Sequence, residues 1–142
     1  MIHSIKAWFK AAKPNPSTAD VCVQLGCHYE EVSEMSAVLY DDVEYALADT
    51  AIMYKIKHSE YIGVVEKLSA DARVELLDAL CDQVVTAVGV AYMMGMDIEG
   101  ALAEVNRSNW SKFKGGVVPV FNEHGKIVKG VDYTPPELSD YI

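Results

Sequence analysis

Acidic side chains recur at helical spacing in two stretches of the chain, and this is the strongest chemical signal in the sequence. The first stretch is Glu30-Glu31-Val32-Ser33-Glu34, and the second is Glu75-Leu76-Leu77-Asp78. Residues three and four apart share one face of a helix, so each stretch gathers carboxylates on a single face. Like charges at this spacing repel one another unless something neutralises them. The spacing therefore predicts that a cation binds at these faces.

Two facing helices with such carboxylates would form a cage of hard oxygen ligands. Mg²⁺ and Mn²⁺ prefer this kind of ligand, whereas structural zinc needs clustered Cys and His, which the sequence lacks. Divalent ions can bridge the oxygens of a polyphosphate and activate a water molecule, and a neighbouring carboxylate can orient that water or take its proton. Each acidic pair taken alone is also typical of a solvated helix face. Their repetition on two helices favours the metal site.

Helical periodicity dominates the part of the chain that must position these acids. The apolar spacing and the capping residues predict five helices, over residues 2–12, 18–40, 42–57, 69–94 and 98–107. The sequence does not assign a secondary structure to residues 59–67. At 142 residues the chain is expected to fold as one domain, with a helical catalytic core over residues 1–108. We therefore predict an all-α fold of four to five helices.

Glycine and proline replace the helical period after Ser108, which predicts a C-terminal arm over residues 109–142 that packs on the same domain. Two β-rich runs flank Asn122-Glu123-His124-Gly125 and predict a short hairpin in this arm. The arm also carries polar groups suited to a triphosphate. The candidate substrate-binding residues are Asn109, Lys112, Lys126, Lys129 and Tyr133. Tyr133 either stacks on the base or anchors the arm.

Charge and hydropathy exclude several partners. The chain has 12 Lys and Arg against 21 Asp and Glu, a formal net charge of −9, which opposes non-specific nucleic-acid binding and a polybasic membrane contact. The sequence shows no secretory signal and no span of about 20 apolar residues. Its three cysteines form no CxxC pair, which is typical of reduced thiols. These features predict a cytoplasmic protein.

The acidic pattern resembles the metal-binding signature of the MazG-like all-α nucleoside triphosphate pyrophosphohydrolases, which are relatives of dimeric dUTPases. Further segments resemble the small, phage-type branch of that family: Asp78-Ala79-Leu80-Cys81-Asp82, Gly95-Met96-Asp97, Val105-Asn106-Arg107-Ser108-Asn109-Trp110-Ser111-Lys112, Gly125-Lys126-Ile127-Val128-Lys129-Gly130 and Tyr133-x-Pro135-Pro136. The run from Gln24 to Glu31 is similar to a guanine-specific, MazZ-like subgroup. The resemblance covers residues 20 to 138, with a long inserted stretch around residues 41–67.

The resemblance implies a helical bundle that forms a homodimer or homotetramer. It also implies Mg²⁺-dependent hydrolysis of a (deoxy)nucleoside triphosphate to the monophosphate and pyrophosphate, with guanine nucleotides as the favoured substrates if the subgroup applies. The residues implied as metal-binding and catalytic are Glu30, Glu31, Glu34, Glu75 and Asp78. Two alternatives remain open at this point. One is phosphoribosyl-ATP pyrophosphohydrolase activity, and the other is a helical interaction protein without catalysis.

Overall fold

The structure is a computed structural model that describes residues 1–56 and 60–142. Its described part is all-α, which confirms the predicted fold class, and contains no strand. The helices are α1 (Ile2–Ala12), α2 (Thr18–Val38), α3 (Val43–Lys55), α4 (Tyr61–Glu66), α5 (Ala70–Met93) and α6 (Ile98–Ser111), followed by a 3₁₀ turn, Ser139–Tyr141. The short α4 fills the stretch that the sequence left unassigned. The predicted end of the third helix at Lys57 lies outside the described residues.

Side-chain caps fix the starts of the three longest helices. Ser17 and Asp20 form a reciprocal capping box at the start of α2, with the Ser17 hydroxyl accepting from the Asp20 backbone N–H. Ser69 caps α5 and Asp97 caps α6, each by accepting a backbone N–H from three residues further along the chain. Local sequence therefore sets where each helix begins, in agreement with the predicted starts.

Helix α2 ends in a tight turn around Tyr40. The Asp41 N–H donates to the Ser36 carbonyl and the Tyr40 N–H to the Ala37 carbonyl, the two bonds of a Schellman motif. This motif needs a left-handed residue just after the helix, and Tyr40 takes that role with φ of 57°. Glycine is the usual residue there because it lacks a Cβ.

The chain divides into two compact units. The first, the α2–α4 unit, comprises residues 15–67 and 121–126, and the second, the α5–α6 unit, comprises residues 1–14, 68–120 and 127–142. In the α2–α4 unit, α3 and α4 pack on α2, and Cys22, Val23 and Ala51 are buried. The α5–α6 unit has its core where α1 meets α6. That core is formed by Trp8, Ala12 and Phe113 with Trp110 and Ile127 against it.

The predicted C-terminal arm begins inside a helix, because α6 continues past residue 108 to Ser111. Beyond α6 the described residues form no strand, and the expected hairpin is reduced to a short paired turn, in which the Val128 N–H donates to the Val120 carbonyl at 2.8 Å and the Asn122 N–H donates to the Lys126 carbonyl at 3.0 Å. The Asn122 Oδ1 also accepts the N–H groups of His124 and Lys126, which closes the turn. A separate isolated bridge joins Lys114 and Val118.

Side chains of α6 hold the later part of the arm within the α5–α6 unit. Arg107 makes a bidentate ion pair with Glu104 and also donates to the Pro135 carbonyl at 2.9 Å. The Ser108 hydroxyl donates to the Thr134 carbonyl at 2.8 Å. Arg107 and Ser108 belong to the segment that carries the family resemblance, and here they anchor the chain.

Helix α5 lies open along most of its length. Every residue from Arg73 to Val88 is exposed, including Leu77 at 63% and Val85 at 67%, and Ala91 is the single buried residue of this fully described helix. Apolar residues occur all around α5, and a helix of that kind needs several neighbours, whereas its main contact in its own unit is α6. No described helix is long and apolar enough to cross a bilayer.

Candidate functional site

Glu30 lies at the centre of a charged cluster in the α2–α4 unit. Its Oε1 accepts from the Lys55 ammonium at 2.7 Å, and its Oε2 accepts from the Lys126 ammonium at 2.6 Å. Both carboxylate oxygens therefore bind a cationic donor. Lys126 is 96 residues from Glu30 in the sequence, so this contact joins a predicted phosphate-binding residue to a predicted metal-binding one.

A close approach of α2 and α3 brings Lys55 to Glu30. Gly26 is buried on α2, and a Cβ built there would come within 2.7 Å of the Ala51 carbonyl oxygen and of the Lys55 side chain. Glu30 follows Gly26 by one helical turn, and Lys55 follows Ala51 by one turn on α3. Residues four apart share a helix face, so the contact at Gly26 aligns the two charged groups.

Lys126 is presented by a turn that its own backbone closes. Its N–H donates to the Asn122 side chain at 2.9 Å, and its carbonyl accepts the Asn122 N–H at 3.0 Å. Gly125 supplies the left-handed residue of this turn with φ of 79°. The long-range position of Lys126 therefore depends on an Asn and a Gly that the sequence suggested only as turn residues.

The electrostatics of the cluster favour its charged form. Partial burial raises the pKa of Glu30, but the hydrogen bonds and charges of Lys126 and Lys55 outweigh it, and the net pKa lies below the usual value. Burial lowers the pKa of Lys126 while Glu30 and Glu31 raise it, with a net rise. Nearby, burial is the largest effect on the Cys27 thiol and raises its pKa. At neutral pH Lys126 and Glu30 are ionised and the Cys27 thiol is not.

This arrangement gathers two kinds of group that a phosphate site uses. Ammonium groups bind phosphate oxygens as point charges, and a carboxylate can accept a proton from water or bind a cation. The Glu31 carboxylate is exposed on the same helix and also acts electrostatically on Lys126. Glu34 is exposed one turn further along α2.

Glu75 and Asp78 lie on α5 in the other unit, where both are exposed. Over residues 1–56 and 60–142, no three His, Cys, Asp or Glu side chains are grouped so that they could hold a metal ion. Both oxygens of Glu30 already bind ammonium groups. The five predicted acids are divided between the two units, and the predicted metal set stays a prediction.

The other predicted substrate-binding residues lie in the α5–α6 unit. The Lys112 ammonium sits over the Trp8 ring, 5.9 Å from its centroid, and the Asn109 carbonyl accepts from the Trp8 indole N–H at 2.8 Å. Trp8 is only 6% exposed and stacks on Phe113, so it is a core residue. The ammonium of Lys129 lies 4.8 Å from the centroid of the half-buried Tyr133 ring.

Lys55 was not among the residues that the sequence singled out. It is the only basic residue of α3 and lies at the end of that helix, inside the stretch that departs from the family pattern. Only the packing of α3 on α2 shows that it meets Glu30. The one available signal was the pair of small residues, Gly26 and Ala51, that allows this packing.

No protein-family model, no curated protein and no solved structure matches the chain. A functional assignment therefore rests on the residue pattern and on the geometry of the α2–α4 unit.

Proposed function

We propose that the protein hydrolyses nucleoside or deoxynucleoside triphosphates to the monophosphate and pyrophosphate, with a requirement for Mg²⁺ or Mn²⁺. The observation that supports this most is the 2.6 Å contact between Lys126 and Glu30. The sequence analysis named Lys126 as a candidate for phosphate binding and Glu30 as a candidate metal-binding and catalytic carboxylate. Their meeting in one half-buried cluster is what a triphosphate-cleaving site needs.

In this proposal Lys126 and Lys55 bind phosphate oxygens of the substrate. Each ammonium supplies a positive charge that offsets the negative charge developing on the phosphates as the anhydride bond breaks. A carboxylate of α2 would accept a hydrogen bond from the attacking water and orient it. Asn109, Lys112, Lys129 and Tyr133 are proposed as further contacts to the nucleotide.

The metal requirement rests on the acidic pattern alone, because the acids are not grouped as ligands in the described part of the chain. The carboxylates proposed to bind the ions are those of Glu30, Glu31, Glu34, Glu75 and Asp78. A divalent ion would neutralise charge on the triphosphate, which a chain of net charge −9 otherwise repels. Guanine nucleotides are the proposed preference.

We further propose that the protein forms a homodimer or homotetramer. The exposed apolar length of α5 supports this, since a contiguous apolar surface of this kind marks an association site. Light scattering on the purified protein measures the mass directly. Val85→Glu, at a position 67% exposed on α5, is expected to shift the mass toward the monomer. A monomeric mass for the wild-type protein would contradict the proposal.

The deciding experiment is pyrophosphate release from the four NTPs and four dNTPs, each with Mg²⁺, with Mn²⁺ and with EDTA. We expect metal-dependent release, greatest for guanine nucleotides. Glu34→Gln and Asp78→Asn should each abolish release while circular dichroism shows an intact helical fold. Glu99→Gln, an exposed acid on α6, is the matched control and should stay active.

No release from any of the eight nucleotides, by folded protein, would overturn the proposal. That result would favour one of the two alternatives, phosphoribosyl-ATP pyrophosphohydrolase activity or a helical interaction protein without catalysis. Full activity of the Glu34 and Asp78 variants would overturn the metal assignment instead.

A further inference from the structure

Three tyrosine rings form a column in the α2–α4 unit. Tyr29 on α2 stacks on Tyr54 of α3, with ring centroids 5.5 Å apart and planes 22° apart. Tyr54 stacks in turn on Tyr61 of α4, at 4.2 Å and 15°. Tyr54 is therefore the middle ring, and Tyr29 and Tyr61 are the ends. All three side chains are partly exposed, so the column is not sealed in a core.

The column begins beside the charged cluster. Tyr29 directly precedes Glu30 on α2, and Tyr54 directly precedes Lys55 on α3. A Cβ built at Gly26 would lie 2.7 Å from the Lys55 side chain and 3.1 Å from the Tyr54 Cβ, so Lys55 and Tyr54 both pack against α2 at this point. The packing of α2 on α3 that joins Lys55 to Glu30 thus also joins Tyr54 to Tyr29.

We propose that this tyrosine column is the nucleobase site, with the base stacking on the Tyr29 ring and the phosphates reaching Lys55 and Lys126. A nucleotide has a planar base at one end and an anionic chain at the other, and the α2–α4 unit presents both complementary chemistries side by side. Aromatic rings stack on any base, because every base has a π-face. This inference rests on the proposed function, whose substrate it places in the α2–α4 unit.

Burial raises the pKa of the Tyr54 hydroxyl, with the neighbouring tyrosines adding to the effect. The middle ring therefore stays neutral at physiological pH, and the column adds no negative charge beside the phosphates. Tyr133 in the arm was the aromatic residue that the sequence suggested for the base. Its ring already contacts the Lys129 ammonium.

The test compares two ligands on the full-length protein in Mg²⁺ buffer. One is a guanosine triphosphate analogue with a methylene group in place of the α,β-bridging oxygen, and the other is inorganic tripolyphosphate. Tyr29→Leu is expected to lower the affinity for the nucleotide analogue about tenfold or more, because base stacking contributes that much to affinity. The same variant should leave the affinity for tripolyphosphate unchanged. Tyr29→Phe keeps the ring and should bind like the wild type.

Tyr45→Leu is the matched control, because Tyr45 lies on α3 outside the column and is 73% exposed. It should leave both affinities unchanged. If Tyr29→Leu lost affinity equally for the two ligands, the stacking site would be overturned. An unchanged affinity of this variant for the nucleotide analogue would overturn it too.

A measurement on the wild type keeps the proposal testable if Tyr29→Leu does not fold. Intermolecular nuclear Overhauser effects should join the base protons of the analogue to the ring protons of Tyr29 in the wild type. Effects on Tyr133 instead of Tyr29, or none at saturating analogue, overturn the stacking site. Pyrophosphate release in that case leaves the proposed hydrolysis standing, whereas Tyr29 effects without any release leave the stacking site and remove the hydrolysis.

Discussion

Removing the charge of Glu30 tests the cluster most directly. The two ammonium groups lie 2.7 and 2.6 Å from the oxygens of one carboxylate. They are therefore about 7.5 Å apart or less, and their repulsion is at least about 0.5 kcal/mol at a dielectric constant of about 80 or at least about 2.2 kcal/mol at about 20. Glu30 is 33% exposed, so solvent screens part of this. We expect Glu30→Gln to lower the free energy of unfolding by about 1 kcal/mol at pH 7 and low salt.

The pH dependence of stability gives an independent test of whether the Glu30 carboxylate stabilises the fold. The pKa of Glu30 is lowered from 4.5 in the folded protein, so its contribution is fully present above the unfolded value. That contribution is lost as the pH falls through the folded pKa. The difference between the wild type and Glu30→Gln should therefore close progressively below pH 4.5. It should also shrink at about 0.5 M salt, where the Debye length is only a few ångströms.

Urea unfolding followed by circular dichroism, at pH 7 and again in acid, measures both effects. Glu34→Gln is the matched control, since Glu34 is exposed one turn along the same helix. It should change the free energy of unfolding by no more than about 0.5 kcal/mol. Equal stability of Glu30→Gln and the wild type at pH 7, or a difference that persists unchanged in acid, would refute the electrostatic reasoning.

Three further outcomes follow from local geometry. Tyr40→Gly should raise the free energy of unfolding by about 0.5–1 kcal/mol, because Tyr40 is left-handed and 96% exposed; a lower urea midpoint would contradict this. Phe113→Ala should cost about 3–5 kcal/mol, since the ring is fully buried against Trp8, and an unchanged melting temperature would argue against that core. Glu104, whose pKa Arg107 holds at about 2, stabilises the fold above its unfolded pKa; Glu104→Gln should lower the melting temperature at pH 7 and have no effect below pH 2.

The helices could be read from the sequence because their signals are local. Ser17, Ser69 and Asp97 each cap a helix through a bond to a residue three positions away. Gly95 ends α5 with φ of 78°, as its position suggested. Boundaries of this kind need no knowledge of the tertiary structure.

The charged cluster and the tyrosine column could not be read in the same way. Lys126 meets Glu30 across 96 residues, and no local pattern encodes that distance. Likewise, apolar residues around α5 indicate that something must cover the helix, but they do not say whether the cover comes from the same chain. An apolar surface on all sides is typical of a buried helix, whereas Leu77 and Val85 of α5 are exposed.

The contact at Gly26 has a genetic consequence. Every glycine codon becomes an alanine codon by one base change, and the added methyl group would meet the Ala51 carbonyl at 2.7 Å. Helix α3 would have to move away from α2, and Lys55 and Tyr54 would move with it. A lineage carrying Ala at this position would keep all five motif acids and still lose the cluster. The loss of the cluster in such a lineage would be invisible to any comparison of those acids.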